Sequence, residues 1–119
     1  QSLSPRQNFA IEFQGKLAGA IGCERGKDEL RTNMELGFWV GEPFWRKGIA
    51  TEAVRLFTKH LFDKFDIQRV YAQVYDFNGE SKNVLEKAGY IPEAILKKAF
   101  IKRGVVGDLF QYVKIRAAE

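Results

Sequence analysis

The segment Trp45-Arg46-Lys47-Gly48-Ile49-Ala50-Thr51 joins an aromatic-rich, extended stretch to a run with helical periodicity, an arrangement suited to holding an anion. A helix leaves the N–H groups of its first turn without intrahelical acceptors, and its dipole adds partial positive charge at the same end. Gly48 lets an anion approach the backbone with no Cβ in the way, and Arg46 and Lys47 bring charge beside it. Phosphate binding is the chemistry indicated. The same glycine also suits an ordinary turn at a helix entry, so these residues alone name no ligand. Cys23 is the single cysteine and lies in the apolar run Leu17–Cys23, where it reads as a small core side chain. The single histidine, His60, falls far along the chain in a helical pattern, so no metal site is expected.

Extended and helical segments must position the cradle. Asn8–Phe13 and Leu17–Glu24 read as strands joined by a tight turn at Gln14-Gly15-Lys16, and Met34–Val40 as a third strand in which Gly37 marks a bulge. From Ile49, apolar residues recur at Ala53, Leu56, Phe57, His60, Leu61 and Phe65, the spacing of an amphipathic helix. Strand character resumes over Ile67–Tyr75, which makes strand, turn, helix and strand one right-handed crossover with parallel flanking strands. A shorter helix follows over Gly79–Lys87, stopped by Gly89. Two alternating segments, Ala94–Lys102 and Asp108–Ile115, separated by Arg103–Gly107, look like a terminal hairpin. The order is β-β-β-α-β-α-β-β, an α/β (α+β) fold with a mixed sheet and helices on its faces, and residues 1–119 form one domain.

Composition narrows the function classes. With 119 residues, 45% of them hydrophobic and 29% charged, the chain is expected to build one core without disulfides. A net charge of +4 invites comparison with nucleic-acid binders, but the basic residues are scattered singly among fifteen acids, so no specific nucleic acid is expected. No apolar stretch approaches the roughly 18 residues of a membrane helix, and Gln1–Pro5 is not a secretory signal; a cytoplasmic protein away from membranes is expected.

Two segments carry a family resemblance. Gly41-Glu-Pro-Phe-Trp-Arg-Lys-Gly-Ile-Ala-Thr-Glu-Ala53 closely resembles motif A of the GNAT superfamily of N-acetyltransferases, and Asn78-Gly-Glu-Ser-Lys-Asn-Val-Leu-Glu-Lys-Ala-Gly-Tyr90 resembles the motif that follows it. Within the superfamily both are most similar to the ribosomal-protein N-terminal acetyltransferase branch. Motif A opens on Gln or Arg in most of the family, where this chain has Trp45; Gly48 and Ala50 match. The resemblance implies acetyl-CoA as co-substrate and a mostly antiparallel sheet with a central, splayed parallel strand pair. It implies pyrophosphate held by main-chain N–H groups over Arg46, Lys47, Gly48, Ile49, Ala50 and Thr51, and a pantetheine arm along Phe38, Trp39 and Val40. In the second motif it implies that Asn78 and Ser81 contact or orient that arm and that Lys82 meets the phosphates. Asn78 also reads as the N-cap of the short helix, and the two roles can coexist.

Acetyl transfer to an amine needs a base, a positioned thioester, oxyanion donors and a proton for the departing thiolate. Glu35, an acid within an apolar strand at a position where this branch carries a glutamate, is the expected base. Many family members supply the proton from a tyrosine at the position of Leu85 here, which leaves Ser81 or Tyr90, or water, as the source. Relatives of this kind begin with a strand and two helices before the first hairpin, so the chain reads as N-terminally truncated, with open sheet surface that favours self-association, a homodimer included. The expected activity is acetyl transfer to a primary amine, of a protein N-terminus or a small molecule. The alternative is an acyl-CoA-binding or regulatory module with weak or no catalysis.

Overall fold

Strand alternation puts Met34 and Leu36 on one face of a strand and Glu35, Gly37 and Trp39 on the other, and the molecule is built around that division. The computed structural model describes residues 6–117, so Gln1–Pro5 lies outside the described residues. The elements are β1 (Arg6–Phe13), β2 (Lys16–Arg25), β3 (Asn33–Val40), α1 (Ile49–Lys64), β4 (Arg69–Tyr75), α2 (Gly79–Lys87), β5 (Ile91–Lys102) and β6 (Val105–Ile115). They form a six-stranded sheet in the order β1-β2-β3-β4-β6-β5. All neighbours are antiparallel except β3 and β4, the parallel pair that α1 connects. No helix of the described residues is long and apolar enough to cross a membrane.

Both hairpins turn on two residues with positive φ, Gln14-Gly15 and Arg103-Gly104, the backbone that matches strand twist. The second turn is therefore shorter than expected, and Val105, Val106 and Gly107 belong to β6. Gly107 pairs with Phe100, and a Cβ on it would stand 2.3 Å from the ring. It is a close-approach glycine inside a strand rather than a turn residue.

Both helices pack on one face. Val54, Phe57, Thr58 and Leu61 of α1 and Leu85 of α2 are buried with Met34, Leu36, Val70, Ala72 and Tyr112. The buried stripe of α1 is thus rotated from the one expected: Leu56 and His60 are exposed, and Val54 and Thr58 point inward. The Thr58 and Tyr90 hydroxyls meet at 2.6 Å, and the Tyr112 hydroxyl donates to Glu86 at 2.9 Å. Cys23 is buried in this core as expected, and burial pushes its thiol up. On the other face, which neither helix covers, lie Glu35, Tyr71, Gln73 and Gln111.

The parallel pair is short. Asn33, Met34 and Glu35 pair with Arg69, Val70 and Tyr71, and beyond that rung β3 and β4 have no paired residues. The bulge expected at Gly37 is absent, because the β2–β3 ladder runs unbroken with Gly37 opposite Gly22; the irregularity in this half of the sheet is in β1, between Ile11 and Glu12. Gly37 acts instead by lacking a side chain, since the place a Cβ would take has nothing within 4 Å.

Candidate functional site

From the end of β3 the chain enters α1 through the short 3-10 turn Glu42–Phe44. Gly41 N–H donates to Ala18 at 2.8 Å, and the Trp45 indole N–H donates to the Val40 carbonyl at 2.7 Å. Trp45, the departure from the family pattern, therefore ties the helix entry to the tip of β3. Arg46 and Gly48 then take φ of 60° and 77°. Gly48 is the N-cap of α1 and has no side chain to cap with. Among the described residues, no backbone or side-chain acceptor meets the backbone N–H of any residue from Arg46 through Thr51; the first helical bond is Glu52 N–H to Gly48.

All of these residues except Lys47 border a cavity of about 790 Å³ whose other walls come from β3 and α2. Phe38, Trp39, Val40, Arg46, Gly48, Ile49, Ala50, Thr51, Asn78 and Ser81 all line it, so the two motifs share one space. Nothing lies within 4 Å of where a Cβ on Gly48 would stand, so a phosphate has room against the backbone. Arg46 stands at the rim with its Nε 3.0 Å from a Glu80 oxygen, a solvent-exposed pair of small energetic weight. The Asn78 Oδ1 accepts the Ser81 N–H at 3.0 Å, the expected N-cap of α2, and the residue also lines the cavity.

Two lysines are not where they were expected. Lys47 lines a different, largely apolar groove between β1 and α1, beside Phe9 and Phe13. Lys82 points into the protein: its Nζ donates to the Asp76 carbonyl at 2.6 Å and lies 3.8 Å from the Phe110 ring centroid. The phase of α2 causes this, because the face that carries Lys82 packs on β6, and a carbonyl together with an aromatic face satisfies the ammonium there. The cavity also takes in Arg55, Asn83 and Lys87, which sequence reasoning missed. Arg55 was accessible to it, lying one helical turn beyond Thr51 on the same face.

A second space, about 420 Å³, fills the gap between β3 and β4. Glu35, Gly37 and Phe38 line it from one side and Gln73, Tyr75 and Phe100 from the other, while Asn78 and Ser81 border both spaces and stand at their junction. Glu35 is half-buried on the last paired rung, facing Tyr71, whose phenol is pushed up by burial and then by the Glu35 charge. Leu85 is fully buried away from the gap. Tyr90 is 2% exposed with its hydroxyl engaged by Thr58, which removes it as a proton source; burial pushes its phenol up as well.

A mixed sheet whose one parallel pair parts beside an amide-lined helix entry is the architecture of a coenzyme A-dependent acyltransferase fold. The chain belongs to the GNAT acetyltransferase family, whose domain model matches residues 2–91. It is 28% identical to the putative ribosomal N-acetyltransferase YdaF of Bacillus subtilis (strain 168), over 84% of this chain and 54% of that protein. It is 26% identical to the ribosomal-protein-serine acetyltransferase of Escherichia coli (strain K12), over 90% of this chain and 59% of that one. Among solved structures, the microcin C7 self-immunity acetyltransferase MccE in complex with acetyl-CoA and AMP matches with a TM-score of 0.84 and 27% identity, over 94% of this chain and 62% of that chain. The chain thus spans little more than half the length of the curated relatives it matches.

Proposed function

We propose that this chain is the catalytic core of an N-acetyltransferase that moves the acetyl group of acetyl-CoA to a primary amine by direct attack, with a protein N-terminal amine as acceptor. One observation carries the proposal: a row of free backbone amides and a half-buried carboxylate border two spaces that meet at Ser81. The names of the relatives in Bacillus subtilis and Escherichia coli favour a ribosomal-protein acceptor over a small amine.

Acetyl-CoA bound in the cradle supplies a thioester, whose C–S bond breaks as the C–N bond to the amine forms. The amides of Arg46 through Thr51 hold the pyrophosphate, with the helix dipole adding to their field. Glu35 takes the proton the amine nitrogen sheds, directly or through one water. The Ser81 hydroxyl, at the junction of the two spaces, gives a proton to the departing sulfur and recovers one from solvent.

Calorimetric titration with acetyl-CoA tests the cradle. The unaltered chain is expected to bind in the micromolar range, and Gly48→Glu with Ala50→Glu, which puts two carboxylates among the amides, is expected to abolish binding. Equal binding by both proteins would overturn the assignment. The buried Leu85, where family members place a proton-donating tyrosine, favours a second reading as an acyl-CoA-binding module with little catalysis. Thioester turnover with a peptide acceptor separates the two.

A further inference from the structure

Four polar side chains on the uncovered face form a line that ends in the gap between β3 and β4. Arg69 of β4 gives both terminal nitrogens to Glu93 of β5, at 2.6 and 3.0 Å. Gln111 of β6 donates from Nε2 to Glu93 Oε1 at 2.9 Å, and Gln73 of β4 donates from Nε2 to Gln111 Oε1, also at 2.9 Å. A carboxylate paired with arginine only accepts, so Gln111 must turn its NH₂ toward Glu93 and its carbonyl toward Gln73. That carbonyl in turn demands the NH₂ of Gln73. Each amide is thereby oriented by the anion at the far end, and Gln73 is left with its Oε1 as a fixed acceptor that has no hydrogen-bond partner among the described residues and is not buried.

Gln73 lines the gap, two residues beyond the rung on which Glu35 faces Tyr71 and on the same face of the sheet as Glu35. Gly37, on the opposite wall, leaves the space between them open. The gap therefore presents two acceptors, a carboxylate and an oriented amide oxygen, and a group with two donor hydrogens on one atom can meet both. A neutral primary amine has two N–H bonds, whereas its N-methylated counterpart has one.

We propose that Gln73 is the residue that selects and orients the acceptor amine, accepting one N–H at Oε1 while Glu35 faces the other. The proposal rests on the acetyl-transfer function assigned above to this gap. Its test uses a short peptide with a free N-terminal serine and the same peptide N-methylated at that amine. The unaltered chain is expected to prefer the primary amine by about tenfold or more in kcat/KM, the worth of one hydrogen bond left unmade. Gln73→Leu is expected to raise KM for the primary amine about tenfold, to leave acetyl-CoA affinity unchanged, and to bring the ratio of the two peptides toward one. Glu93→Gln, which frees the amides to flip, is expected to lower the ratio when Gln73 is present and to change nothing further in Gln73→Leu. A Gln73→Leu protein that keeps both KM and the peptide ratio overturns the proposal while the acetyl-transfer function stands. Failure of the unaltered chain to bind acetyl-CoA or to acetylate the free peptide overturns both.

Discussion

Lys82 shows how a single side chain can match a family motif and still serve another purpose. Its ammonium sits between the Asp76 carbonyl and the Phe110 ring, on the face of α2 that packs against β6, and it does not line the cradle. A lysine that met the cofactor's phosphates would contribute to affinity; one satisfied internally contributes to stability. Lys82→Met is therefore expected to leave the dissociation constant for acetyl-CoA within about twofold and to lower the unfolding free energy by about 2–3 kcal/mol, as one charged hydrogen bond and one cation–π contact are lost. Calorimetry and urea unfolding read the two quantities, and a tenfold loss of affinity would return Lys82 to the phosphate site. The helix entry itself was legible because it is local: a glycine ahead of a helix leaves free backbone amides within six or so residues, although of its two cations only Arg46 lines the cavity. Placing Lys82 needed the rotation of α2 about its axis, and finding Gln73 needed the adjacency of β4, β6 and β5. Neither is written in any short stretch of sequence.

At the level of elements, periodicity, strand propensity and turn glycines together placed every strand and helix, and the order β-β-β-α-β-α-β-β is the one observed. The ends failed where glycine has two meanings. Gly104 is a turn glycine with positive φ, whereas Gly107, three residues on, has negative or extended φ and lies under the Phe100 ring in a paired strand. From sequence the two look alike, and so Val105, Val106 and Gly107 read as loop. Gly107 matters for the site because Phe100 is a wall of the gap between β3 and β4. A methyl group on residue 107 would press into the ring, so Gly107→Ala is expected to cost roughly 1–3 kcal/mol through overpacking. Phe100→Leu in the same chain should recover part of that loss, because the smaller side chain leaves room for the methyl. Urea unfolding of the two single variants and the double variant gives the coupling, and strictly additive losses would show that Phe100 does not bear on Gly107.

Over the whole molecule, β6 ties the sheet together, and the groups it carries set how stability depends on pH. Asp108 accepts the Lys98 N–H at 2.9 Å, and its own N–H donates to Asp76; the Lys98 N–H first, and then Lys97, hold its carboxyl below the usual range. A folded-state pKa below the unfolded one gives stability that is present above the unfolded value of 3.8 and lost as pH falls through the folded value. At the other end of β6, burial and then the Glu86 carboxylate push the Tyr112 phenol up to about 12. The sign reverses for this group. The unfolded tyrosine releases its proton near pH 10 while the folded one keeps it, so its contribution is complete below about pH 10 and disappears as pH rises toward 12. Tyr90, buried against Thr58, is protected in the same sense. Together with Tyr71, whose phenol is also pushed up, these groups make the alkaline limb steep, and Tyr112→Phe, which removes one of the three, is expected to lower the slope of unfolding free energy against pH between 10 and 12 by about a third. Urea midpoints of both proteins at intervals across that window measure the slopes, and parallel limbs would mean that Tyr112 loses its proton as readily in the folded chain as in the unfolded one.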